Sequence, residues 1–272
     1  MKLSFPTIEF LQEKTRAILR ESEPAIISRK LSDILSFYKI LNFSFGYNWP
    51  LWRIRKCASS HGYGNLRDLS HPPTEQTQLC RLNNDYNPLL YTSINKFTAI
   101  TEVAASEGDY LHIVGYAIRS DEKLRCAIVG ELFNTHRSGN AKTSEKLTSE
   151  LNRLLNASDY RAARSWVFLD AFLADLLSDK NANATGYLHT RAIADFIFSR
   201  PFIDAIYYPS VVLENGVNVA IKPDVAARLL DVKGTSVIRI NQKFDYGIYD
   251  FQVVRNSSGY LPDGTIRWQD EC

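Results

Sequence analysis

The chain has 272 residues, 45% hydrophobic, 23% charged and 12% aromatic, which excludes collagen-like, disordered and disulfide-scaffold classes. Lys and Arg number 32 against 30 Asp and Glu, and a formal charge of +2 is too little for a dedicated DNA or RNA binder. No run of about 18 apolar residues is present to span a membrane, Met1–Pro6 lacks the apolar stretch of a signal peptide, and the scattered Cys57, Cys80, Cys126 and Cys272 suit a reducing cytoplasm.

Two helical patterns open the chain. Ile8, Leu11, Ile18 and Leu19 share one helical face, and Ile27, Leu31, Ile34, Leu35 and Tyr38 follow Pro24 at similar spacing. Phe45–Pro50 reads as a turn closing this part, so residues 1–50 are expected to form a helical N-terminal extension and 51–272 the main domain. Short strands are then predicted at Trp52–Ile54, Leu89–Tyr91, Tyr110–Ile118 and Cys126–Leu132, with a helix over about 95–107 capped by Ser93 or Asn95. The polar segment His136–Ser144 leads to two leucine-rich helical stripes, an insertion at about 143–180, and a loop at Asn181–Ala184. A helix over Thr190–Arg200 precedes strands at Ala205–Tyr208, Val217–Ile221, Thr235–Ile240 and Tyr246–Val254, with Asn215-Gly216 as a turn. Strands at both ends of a helical middle predict an α+β fold. Neither phosphate-cradling glycine loop occurs, and the five histidines have no metal-ligand spacing, so no metal is expected.

Three segments carry residues of chemical interest: Leu79–Asn84 with Arg81, Leu89–Ser93 with Tyr91 leading to a helix that bears Glu102, and Ala205–Ser210 followed by Asn215–Ala220. A strand–turn–helix path could bring Arg81, Tyr91 and Glu102 toward one cleft. In this order, with Trp52-Arg53 before them, Tyr187–Ala194 and the Tyr208-Pro209-Ser210 to Asn218 segment after them, the motifs resemble those of the RES-domain family. The similarity covers about Trp52 to Ile240. Cys80 stands where the family has glycine before its arginine, Leu82 where it has an aromatic, and Asn83–Asn87 replaces a Pro-Gly-rich turn.

The resemblance implies an ADP-ribosyltransferase-like split β-sheet and cleavage of the nicotinamide–ribose bond of NAD⁺, which is a substrate, with no cofactor. It also implies a toxin that depletes NAD⁺, a helix-turn-helix antitoxin or immunity protein as partner, and a homodimer. Breaking that bond gives the ribose oxocarbenium character, which a fixed carboxylate stabilises; Glu102 is the candidate. Pyrophosphate favours a guanidinium fork, for which Arg81 comes first and Arg53 second. Tyr91 could pack on nicotinamide, Ser210 could bond the ribose or carboxamide, and Asn218 could orient the Ser210 strand. Water, phosphate or a macromolecule could accept the ADP-ribose, the last making the protein a mono-ADP-ribosyltransferase. A non-catalytic nucleotide-binding module is the rival from another class.

Overall fold

The computed structural model describes residues 5–269; Cys272 and the first four residues of the amino-terminal stretch read above lie outside them. In chain order the elements begin with α1 (Ile8–Leu19), α2 (Pro24–Leu35), β1 (Leu41–Phe45), β2 (Leu51–Cys57), β3 (Leu90–Ser93) and α3 (Lys96–Glu102). Next come β4 (Tyr110–Ile118), β5 (Leu124–Ile128), α4 (Glu131–Ser138), α5 (Glu145–Ala157), α6 (Tyr160–Ser178) and α7 (Leu188–Phe198). The chain continues with β6 (Ala205–Pro209), β7 (Val217–Ile221), α8 (Pro223–Leu229), β8 (Leu230–Lys243), β9 (Tyr249–Tyr260) and β10 (Ile266–Trp268). This mixed composition is compatible with the α+β class. Among the described residues no helix is long and apolar enough to cross a membrane. The chain divides into two compact units, each built from several segments.

The first unit joins the residues up to Phe43 with Leu79–Asn84 and Cys126–Pro209. Thr7 caps α1 by accepting from the Phe10 N–H at 3.3 Å, and Pro24 opens α2, where its missing N–H breaks no helical bond. α2 buries the stripe its spacing predicts, Ile27, Leu31, Ile34 and Leu35, whereas α1 buries Leu11 and Ile18 but leaves Leu19, expected on the same face, 49% exposed. β5 and β6 pair in parallel, with Cys126 opposite Ala205 and Ile128 opposite Tyr207. A parallel pair needs a long crossover, and α4 to α7 supply it. The buried carboxylate of Asp170 on α6 accepts from the Tyr38 hydroxyl at 2.7 Å and from the N–H groups of Gly130 and Phe133, both at 2.9 Å. It thereby satisfies donors at the start of α4 from another helix.

The second unit contains Ser44–Gln78, Asp85–Arg125 and the chain from Ser210 onward. Its strands follow the order β7-β3-β2-β4-β8-β9-β10. β2 pairs with β4 along its whole length, from Leu51 opposite Tyr116 to Cys57 opposite Tyr110. On its other side β2 meets β3 at one pair alone, Trp52 opposite Ser93, while β3 runs fully paired against β7. The sheet is therefore parted along the β2–β3 seam. Ile54, Ile113, Ile238 and Ile240 form the core beneath Ala99 and Ile100 of α3.

Several element boundaries differ from the sequence reading for local reasons. The strand expected over Cys126–Leu132 stops at Ile128, because Gly130 turns at φ 90° and α4 starts at Glu131, inside the stretch read as strand and polar loop. The helix expected to run to 107 ends at Glu102, since Ala104 takes a left-handed φ of 49°. The last long strand begins at Tyr249 rather than Tyr246, whose φ of 62° belongs to a turn. Phe45 belongs to β1 rather than to the turn that follows it; β1, α8 and β10 are additions, all too short to show a clear period.

Candidate functional site

Glu102 is the last residue of α3, where the helix dipole disfavours a carboxylate. Its placement needs donors from elsewhere, and two supply them. The Ser210 hydroxyl donates to Glu102 Oε1 at 2.7 Å, and the Asn218 amide Nδ2 donates to the same oxygen at 2.5 Å. Among the described residues no group donates to Oε2. The carboxylate is half-buried, so one oxygen is anchored and the other is open to a reacting group.

The anchoring groups are themselves held. Ser93 Oγ donates to Asn218 Oδ1 at 2.6 Å, while the Glu102 carboxylate, which can only accept, sets the amide with its nitrogen toward it. Ser93 and Asn218 face each other because β3 and β7 are in that register. Ser210 Oγ accepts from the N–H groups of Val212 and Leu213 at 3.3 and 3.1 Å, while Ser210 N–H closes the loop onto Gly216 O at 2.8 Å. That hydroxyl thus uses its proton and both lone pairs within the protein. In this arrangement it positions Glu102. Gly216 is glycine for space: a Cβ there would lie 2.8 Å from Ser210 Cβ and 2.9 Å from Thr98 Cγ2. Asn218 bonds the same carboxylate oxygen as Ser210.

Arg53 occupies the parted seam between β2 and β3. Its Nη1 donates to the Tyr91 carbonyl oxygen at 3.1 Å, and its buried Nε has no partner. Burial lowers its pKa from the ordinary arginine value, with the nearby Tyr116, Tyr91 and Tyr63 opposing that shift. No carboxylate pairs with it among the described residues. A half-buried guanidinium with its Nε shut off from water and unpartnered carries a desolvation cost, which a bound anion would offset. Tyr91 is half-buried on β3 and, by strand alternation, shares a sheet face with Ser93.

Arg81 belongs to the first unit. There its Nη1 donates to the Asp179 carbonyl at 3.0 Å and its guanidinium carbon lies 5.6 Å from the centre of the Tyr187 ring. Arg191 in the same unit donates to Asn84 Oδ1 at 2.7 Å, tying the Arg81 segment to α7. Among the second unit's residues, then, Glu102, Ser210 and Asn218 come together, and Arg53 meets the Tyr91 backbone. The sequence reading missed the role of Ser93, which becomes visible only with the β3–β7 register. Among the described residues no three His, Cys, Asp or Glu side chains are grouped to hold a metal.

A family model described as RES domain matches residues 50–240. No curated protein and no solved structure matches the chain significantly.

Proposed function

The chain belongs to the RES-domain family, and from that premise we propose that it is an NAD⁺-degrading enzyme, a glycohydrolase or phosphorylase that cleaves the nicotinamide–ribose bond. The observation that carries this reading is the Glu102 carboxylate, anchored through one oxygen by Ser210 and Asn218 and open at the other. As the bond between ribose C1′ and the pyridinium nitrogen breaks, its electron pair goes to that nitrogen and nicotinamide leaves neutral. The leaving group needs no proton. Positive charge builds instead on C1′ and the ring oxygen, where a preorganised carboxylate stabilises the transition state more than the ground state. A water or phosphate oxygen then bonds C1′, and an attacking water passes its proton to bulk solvent. Glu102 Oε2 is the group available to orient that acceptor through a hydrogen bond.

The parted β2–β3 seam supports an ADP-ribosyltransferase-like split sheet, and the unneutralised Arg53 within it supports an anionic substrate such as pyrophosphate. For Arg81 we keep the pyrophosphate role that the family resemblance assigns, and for Tyr91 packing against nicotinamide. The cellular consequence is toxicity by NAD⁺ depletion, relieved by an antitoxin. Purified protein incubated with NAD⁺ should release nicotinamide, followed by proton NMR, and Glu102→Gln should abolish the release. Wild-type rates in that variant would overturn the mechanism. Labelled ADP-ribose appearing on a macromolecule would favour the mono-ADP-ribosyltransferase reading.

A further inference from the structure

We propose that the second unit carries a slot beside Trp52 that takes the adenine end of the dinucleotide, an inference that rests on the NAD⁺ reading above. Residues directly opposite each other in a sheet share a face. One such row starts at Asn218, which holds Glu102, and passes to Ser93 on β3, Trp52 on β2, Gly115 on β4 and Gly234 on β8. Four strand spacings at about 4.8 Å put its far end roughly 19 Å from Asn218. That is the scale of an extended dinucleotide, whose two bases are separated by two riboses and a pyrophosphate.

At the far end lies a cavity of about 420 Å³, within the range of small-molecule pockets. Its floor is the glycine pair. A Cβ on Gly115 would come 3.1 Å from Trp52 Cζ3, so the indole rests directly on that backbone. A Cβ on Gly234 would meet nothing within 4 Å, and its φ is not in the left-handed region. Gly234 sits beside the bulge where β8 slips register opposite Gly115 and Tyr116, and its missing side chain leaves the slot open.

The walls suit a nucleobase. Trp52 is half-buried and offers an aromatic surface, while Ser236, Asn256 and Gln269 bring a hydroxyl and two amides. Among the described residues, these three side chains have no hydrogen-bond partner. Amides that donate and accept side by side match the edge of adenine, and the indole supplies stacking. Gln269 is brought to the slot by its N–H, which donates to the Asn256 carbonyl at 2.9 Å.

The test combines binding and kinetics on the full chain. AMP titrated into the protein should shift the Trp52 indole and Gly234 amide resonances saturably, and Gly234→Val, which suits a strand and fills the slot, should abolish those shifts. The same variant should raise KM for NAD⁺ at least tenfold while kcat stays within twofold, as loss of a stacked base predicts. Asn256→Ala, at an exposed position that does not endanger folding, should raise KM severalfold. An unchanged KM in both variants overturns the slot as the adenine site and leaves NAD⁺ cleavage standing. If AMP shifts Trp52 while KM is unchanged, a separate nucleotide occupies the slot and the adenine-end assignment falls. AMP binding at Trp52 in a protein that releases no nicotinamide keeps the slot as a purine site and sinks the cleavage reading.

Discussion

Each unit holds a carboxylate on a helix, and the two are used in opposite ways. Asp170 in the first unit is 0% exposed, and both its oxygens are taken, by a tyrosine hydroxyl and two backbone N–H groups. Burial still pushes its pKa up against those three donors. Glu102 in the second unit is half-buried, with two donors on one oxygen and none on the other. Burial alone would nominate Asp170 as the unusual group. The distribution of donors reverses that choice: a carboxylate saturated by its own fold organises structure, whereas one anchored at a single oxygen has its remaining capacity free for chemistry.

The sharpest way to break this contrast is to neutralise each in turn and read both activity and stability. Glu102→Gln should cost at least 10³-fold in turnover, about 4 kcal/mol of barrier. Its stability should be unchanged or slightly raised, because an amide oxygen still accepts from Ser210 and Asn218 and a negative charge leaves the end of α3. Asp170→Ala should instead lose roughly 3 kcal/mol in urea unfolding, since three buried donors are orphaned. An equal loss of stability in both variants would erase the distinction.

The two carboxylates also differ in how far the sequence discloses them. Glu102, Ser210 and Asn218 are legible because their order along the chain follows a family pattern. Asp170 is not, because its partners Tyr38, Gly130 and Phe133 lie 132, 40 and 37 residues away. The same distance explains the misplaced strand end at 128: nothing local to Gly130 announces that a remote carboxylate will cap a helix there. Periodicity identified most helices and the buried strands. It could not show that β2 and β3 meet at a single pair, nor that Ser93 faces Asn218, since strand register is a property of the assembled sheet.

A smaller effect separates the second unit's polar interior from its half-buried carboxylate. His112 is fully buried, and its Nδ1 accepts from the Tyr63 N–H at 3.0 Å, so the ring proton lies on Nε2, bonded to Thr235 Oγ1. Burial holds its pKa down at about 4, against an ordinary value of about 6.5 in the unfolded chain. The folded state therefore prefers the neutral ring. That contribution is complete above about pH 6.5 and is lost as pH falls toward 4, up to about 3 kcal/mol. Urea unfolding of wild type and His112→Gln between pH 7.5 and 4.5 should show a steeper fall in the wild type. Parallel curves would mean that the imidazole titrates normally.

The least of these effects tests whether Ser93 acts through Asn218. Without its hydroxyl, Asn218 Oδ1 loses its partner on β3, and the amide is held through its bond to Glu102 alone, which loosens the aim of Nδ2 at the carboxylate. Ser93→Ala should lower kcat about fivefold, the equivalent of one hydrogen bond near 1 kcal/mol, with KM unchanged. Ser93→Thr should restore kcat, and Ser93→Val, which keeps the shape of threonine but not its hydroxyl, should not. If Thr and Val behave alike, the serine serves only to pack β3 against β7, and the chain of bonds from Ser93 to Glu102 carries no catalytic effect.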